Sequence, residues 1–579
     1  MTHPKRLEAA ERLAATAPPG ALRVVMDPDP TGTPSALRTA LAAWSSIEDG
    51  ATHQLVVQDD MVLSESFFRR AGLAIEEMPD AALALFALWD SRNGSAVRFG
   101  ALTGARWVGA VNEHFPCVAI ILPRRVAEGF VEYGRNRLGG WPDDILMQRY
   151  LTDRGVARYV SVPSLAEHAD RGSISGNSFR GPRRSVCFLP SDPAGDEGAR
   201  LTAPDVIPFF KRGVAQCAVR VSGPGPRRWL HLGCEQYLEG AGVPAAWLRQ
   251  APPSTAGGAE QEAVRGTWLT AFAMGLVQRK AALGHDPDRP GGTPDPAVVA
   301  EALATIGPGG ISHTSTEAQI EERRAELARI ARAGIEAGRE AAERLSRPSA
   351  RRPPDRVRRR VAVRGAATPL GEHVLRGLAD RGHHVTQAGP LRVDDTRFDA
   401  VVDLSSLSRS AEGEYAHLSV CVRTAGDGTP LPAAATYTVW AGDLYGPGCS
   451  RHTPIGRMVW SALRSHHVVV ADGPESSLHP LHVNDLVDAL SLVLTTPPPA
   501  HVIALPDPEP RTADDMARAV CQAVRPVPVE TPATATAVPR RPLPPGVRPA
   551  GWSPATGLDR GLHGFAQWLA YEGILLQEI

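Results

Sequence analysis

No apolar run of eighteen residues occurs anywhere in the 579 positions of this chain, which argues against a membrane-spanning helix. The first twenty residues, MTHPKRLEAAERLAATAPPG, lack the apolar stretch of a signal peptide, so a cytoplasmic location is the expectation. Net charge is almost absent. Lys+Arg 62 against Asp+Glu 63 leave −1, and no long-range field favours nucleic acid or an anionic membrane as partner. Cysteine is sparse and unpatterned: the residues stand at 117, 187, 217, 234, 421, 449 and 521 with no C-x-x-C among them. That spacing argues against a zinc site or a disulfide framework and for buried thiols in a reducing compartment. Lysine is missing after Lys280, and no repeat of solenoid length is present.

What is there reads as an ordinary globular composition, 43% hydrophobic and 22% charged, over a length that calls for two or three domains. Three textures divide it. Residues 1–195 contain ALRVVMD, HQLVVQDDMVL and PCVAIILP, buried-strand patterns alternating with helix patterns such as SALRTALAAWSSI. They predict an α/β domain with a largely parallel sheet. Residues 196–345 read as mainly helical, with loops such as QAPPSTAGGAEQ. They end in a helix from Thr316 to Leu345, for which Thr314 and Glu317 suggest a capping box. Residues 346–360 are a Pro/Arg-rich linker, and 361–579 form a second α/β domain. Within the middle texture, Phe209, Phe210, Lys211, Arg227, Arg228 and Trp229 could line an acceptor groove, with core packing as the default reading.

Candidate chemistry gathers in three stretches of the first domain. HQLVV runs into Asp59 and Asp60 at the end of a strand, where open α/β sheets bind ligands. Hard carboxylate oxygens there suit Mg²⁺ or Mn²⁺ beside a diphosphate, or they simply end a strand and cap the next helix. Asp143 and Asp144 open a helix after Gly-Gly-Trp-Pro, so one can cap while the other acts as a base. His168 lies in a polar loop after a strand, a metal ligand or a packing residue. Asp27 and Asp29, in VVMDPDPTGT, could contact a nucleoside or belong to a Pro-rich turn.

The order QDD, PCVAIILPRRVAEGF, WPDD, VPSLAEH resembles the GT-A glycosyltransferases, closest to bacterial members with an LPS-transferase-like pattern. The resemblance spans about 170 residues, 20–195. It implies a nucleotide-sugar donor, most often a UDP-sugar, held through a divalent ion (Mn²⁺ or Mg²⁺) by Asp60 with Asp59, and His168 as distal metal ligand. It further implies Asp144, with Asp143 beside it, as the base that deprotonates an acceptor hydroxyl on a small molecule, peptide or glycan precursor in an inverting displacement. Two departures stand out. Gln58 replaces the first acid of the D-x-D motif, and the family's first strand, due before ALRVVMD, is represented only by a helix-like segment.

RVAVRGAATPLGEHVLRGLADRGHHVTQAG (360–389) reads strand, glycine turn, helix, strand. With DAVVDLSS (399–406), WAGDLYGPG (440–448), HPLHVNDLVDAL (479–490) and AGWSPATGLDRGL (550–562), it resembles the extended short-chain dehydrogenase/epimerase family. Gly365 and Gly371 match the outer glycines of G-x-x-G-x-x-G as dinucleotide-binding positions, while Thr368 takes the middle one. No acid follows for the ribose, and the Tyr-x-x-x-Lys of that family is absent. Both weigh against NAD(P) and predict a catalytically inactive accessory domain, with a homodimer through it as one role. Two alternatives stay open: a non-enzymatic scaffold in which both domains have decayed, and an NAD(P)-dependent sugar-modifying enzyme.

Overall fold

The computed structural model describes all residues except 33–34, 138–141, 170–180, 193–194, 221–228, 250–258, 284–291, 347–358, 389–396, 405–417, 424–435, 472, 506–509, 534–543 and 574–579. Gly139, Gly140, Trp141, Arg227, Arg228 and most of the Pro/Arg-rich linker therefore lie outside the described residues. The chain divides into two compact units, Met1–Pro348 and Ser349–Ile579.

The first unit is built on β1 (His53–Val57), β2 (Met61–Leu63), β3 (Ala82–Ala84), β4 (Trp107–Gly109), β5 (Ala119–Pro123), β6 (Arg158–Ser161), β7 (Ala166–His168) and β8 (Arg200–Leu201). Six of them form one sheet in the order β1-β5-β3-β6-β4-β8, with β2 and β7 paired apart from it. Only β3–β6 and β4–β8 run parallel, so the sheet is mixed and not largely parallel as the strand–helix alternation suggested. The reason is physical. Strands covered on both faces read as continuous apolar runs whichever way their neighbours point, as AIILP in β5 does, buried at every position.

ALRVVMD forms no strand. Its Met26 makes one parallel bridge, to Thr2, with Thr2 N donating to Val25 O and Asp27 N to Thr2 O, both at 2.9 Å. This single bridge is the pairing made there, and among the described residues no strand precedes His53.

The middle texture opens with strands that the helical reading did not anticipate. Strands β9 (Val206–Lys211), β10 (Val214–Arg220) and β11 (Trp229–Gly233) form an antiparallel meander. Its first turn carries Arg212 at φ 47° and Gly213 at φ 71°, the pair of left-handed residues that a two-residue hairpin requires. Behind it, the helices Ala259–Leu283 and Glu317–Ser346 lie side by side and run the same way: Arg323 reaches Glu260 O and Arg279 reaches Glu343. The second is capped by Thr316 and Gln319, each donating its backbone N–H to the other's side chain, two residues later than the pattern suggested.

The second unit holds β12 (Arg360–Arg364), β13 (His384–Gln387), β14 (Ala400–Asp403), β15 (Leu418–Arg423) and β16 (Tyr437–Trp440). They pair in the order β13-β12-β14-β15-β16, with Val502–Ala504 at the far edge, every pair parallel. This is a Rossmann-like sheet whose order reverses beside β12, where such folds open a crevice. Two landmarks meet: Asp485, in HPLHVNDLVDAL, accepts from Ala555 N and Thr556 N of AGWSPATG at 2.9 and 3.2 Å.

Candidate functional site

The C-terminal end of β1 delivers the first acids. Gln58 N donates to Val118 O at 2.8 Å, which continues the β1–β5 ladder and fixes the direction of the next two residues. The chain then turns into β2, whose antiparallel register sets Met61 opposite His168 of β7. That register carries the imidazole to the acid: His168 Nε2 lies 3.3 Å from Asp60 Oδ2, and Ala169 N donates to Asp60 O at 2.7 Å. Both side chains are almost wholly buried, at 10% and 12% exposure. The second Asp60 oxygen, Oδ1, is buried and accepts no hydrogen bond among the described residues.

A residue that sequence reasoning missed completes the cluster. Arg6 Nη1 donates to Asp60 Oδ2 at 2.9 Å and to Asp59 Oδ1 at 3.2 Å, while the hydroxyl of Thr2 bonds Asp59 Oδ2. Burial alone would lower the pKa of Arg6, but the two carboxylates outweigh it and hold the guanidinium above its ordinary value. Nothing in KRLEAAERLAA pairs with QDD by pattern, and only the fold brings them together.

Asp143 and Asp144 begin the helix Asp143–Asp153. Asp144 O accepts from Phe115 N at 3.2 Å, and both acids act electrostatically on Cys117, next in the chain to the Val118 that bonds Gln58. Asp143 is 8% exposed. Burial first, then the neighbouring Asp144 charge, push its carboxyl up to about 7. Arg183 is a charge neighbour of both Asp143 and Asp90, and Arg184 Nη1 donates to His168 O at 2.9 Å. Asp90, also missed, sits 3.4 Å from Lys211 Nζ. Its burial would raise its pKa, but Lys211, Arg183 and His114 more than offset that and lower it.

Asp27 is buried in a different arrangement. Arg38 holds it with two bonds of 2.6 and 2.8 Å, and Asp29 N donates to it at 3.1 Å. Burial opposes ionisation there, yet these partners keep the carboxyl below its usual value. Asp27 thus serves the Pro-rich turn and the start of the helix Ala36–Trp44.

A divalent ion on Asp60 and His168 does not fit this arrangement. The guanidinium of Arg6 bridges the acids where the ion would lie, and among the described residues no group of three or more His, Cys, Asp or Glu is arranged to hold a metal.

In the second unit, Gly365 takes φ 76°, and a Cβ on Gly371 would stand 2.1 Å from Gly365 O, so both glycines are required by the turn itself. Thr368 caps the helix Pro369–Asp380 by accepting from Gly371 N at 3.0 Å. That hydroxyl takes up one of the free N–H groups at the helix start. Tyr445 is buried edge-on against His482, with ring centres 5.3 Å apart, and burial raises its pKa. His482 is pushed down to about 3, by burial first and then by His373.

No protein-family model matches the chain, and no curated protein does. Among solved structures it is similar to a UDP-glucose 4-epimerase from Thermotoga maritima (13% identity, 36% of this chain and 98% of that one, TM-score 0.28). It is similar also to a dTDP-glucose 4,6-dehydratase from Bacillus anthracis (10%, 37% and 97%, 0.28) and a GDP-L-fucose synthetase from Naegleria fowleri (8%, 37% and 94%, 0.29). No helix of the described residues is long and apolar enough to cross a membrane.

Proposed function

We propose that the first unit is a glycosyltransferase that uses a nucleotide-sugar donor, most simply a UDP-sugar. The observation that carries this reading is the meeting of Asp60, in the turn between β1 and β2, with His168, the last residue of β7. Asp59, Asp60, His168 and Arg6 form a buried polar cluster at a strand end, the position at which open α/β sheets bind ligands. Asp143 and Asp144 take the base's role. As the acceptor oxygen bonds to the anomeric carbon, its proton passes to this carboxylate pair. The bond from that carbon to the nucleoside diphosphate breaks, and the diphosphate leaves with the electron pair. A carboxyl poised near neutrality, as Asp143 is, suits a general base working near pH 7. Inversion at the sugar follows from single displacement.

Thermal melts with UDP, GDP, dTDP and CMP test the reading. UDP is expected to raise the melting temperature of the wild type and to leave Asp60→Asn unmoved. Protection by none of the four nucleotides overturns it.

A second reading concerns the Ser349–Ile579 unit. Its parallel sheet and Gly365–Gly371 turn favour a dinucleotide site and an NAD(P)-dependent sugar-modifying enzyme. Against it stand the Thr368 cap and the absence of a Tyr-x-x-x-Lys from the sequence, so we assign the unit a supporting role without turnover.

A further inference from the structure

Arg6 stands where the resemblance puts a metal, and it is placed there by built structure. Thr2 bridges Met26, and residues Pro4–Arg6 form one tight helical turn, with the ring of His3 accepting from Lys5 N at 3.3 Å. Thr2 and His3 are both buried, at 2% and 6% exposure. The Arg6 side chain is 12% exposed and its acid partners 9% and 12%, unlike a loose surface pair. A guanidinium does not lose its proton in proteins, so the charge between Asp59 and Asp60 persists at any working pH.

We infer that Arg6 is the resident cation of this site, taking the place of a divalent ion and excluding it, so that nucleotide-sugar use by the first unit needs no metal. The inference rests on the transferase reading for its purpose, but its geometry stands without it. A cation carried on the same chain competes at an effective concentration of about millimolar or more, which a free ion must exceed to displace it. Removing the guanidinium leaves Asp60 and His168 in contact and Asp59 beside them without their cation; as they stand the three are not arranged to hold a metal, so uptake of Mn²⁺ by an Arg6 variant requires them to close around the ion.

The test is a Mn²⁺ titration of the full chain, followed by the electron paramagnetic resonance signal of the free ion. Wild type is expected to leave the signal undiminished at equimolar ion. Arg6→Ala and the neutral, similarly long Arg6→Gln are expected to take up one Mn²⁺ at least ~100-fold more tightly, and adding Asp60→Asn is expected to abolish that uptake. Two results overturn the inference: a wild-type site that binds one Mn²⁺ and loses it in Asp60→Asn, or Arg6 variants that melt cooperatively yet bind none. If neither Arg6 variant folds, the wild-type titration still decides. Nucleotide protection of the wild type that is present without a chelator and lost with one also overturns the inference, whereas protection by no nucleotide in either condition counts against the transferase reading and leaves the Mn²⁺ result standing.

Discussion

At the scale of the residue, Asp143 is a group whose chemistry is strongly altered by its surroundings. Its carboxyl moves from 3.8 to about 7, by burial and by Asp144, so the folded state holds a proton that the unfolded chain releases. The sign follows from that. Stability from this proton is complete below about pH 4, declines as pH rises, and is gone above about 7. Asp143→Asn, which mimics the protonated form, should match wild type in acid and exceed it above neutrality, by something on the order of a few kcal/mol. Urea denaturation across pH 4–8 measures the difference, and a constant offset between the two proteins would show that Asp143 ionises normally. Asp59, Asp60, Asp143, Asp144 and His168 were legible as candidates because strand ends and helix starts announce themselves in sequence. Arg6, Thr2 and Asp90 were not, because each becomes notable only through a partner distant in the chain.

At the scale of the element, the two long helices of the first unit approach through glycines. A Cβ on Gly338 would stand 2.1 Å from Phe272 O, and one on Gly275 2.1 Å from Ile335 O, in both cases a backbone atom that cannot swing aside. Gly72, in the helix Phe67–Glu77, has nothing within 4 Å of the corresponding position. The same substitution should therefore have opposite signs. Gly72→Ala gains about 0.5–1 kcal/mol from helix propensity. Gly338→Ala gains that much and loses more, because overpacking costs about 1–3 kcal/mol and here forces whole helices apart. Thermal melts of both variants check the pair, and a Gly338→Ala protein as stable as its parent would mean that the helices adjust. Close packing of this kind is invisible to periodicity, which treats a glycine only as a weak helix former. The β9–β11 meander escaped for a related reason. Pro208, a central glutamine and the basic Lys211–Arg212 turn interrupt its alternation, and both of its outer strands pair with β10 in a way that only coordinates reveal.

At the scale of the whole chain, strand–helix alternation carried enough information to expect two α/β regions, whereas the direction of strand pairing needed coordinates. Each unit has its own hydrophobic core. One centres on residues such as Trp44, Phe99, Phe130 and Phe272, the other on Val363, Val402, Val459 and Leu490. Units with separate cores melt as separate cooperative bodies unless a large apolar interface joins them. Calorimetry of the full chain should therefore resolve two transitions, and Gly338→Ala should lower only the one that belongs to Met1–Pro348. A ligand at 100 times its dissociation constant stabilises the state it binds by about 2.7 kcal/mol, which shifts a transition of this size by a few degrees. UDP should shift the transition that Gly338→Ala marks, and NAD should shift neither, since Thr368 already holds Gly371 N at the helix start. A shift of the other transition by NAD would restore the Gly365–Gly371 turn as a working dinucleotide site. The supporting role assigned to the second unit would then give way to an enzyme acting on nucleotide sugars.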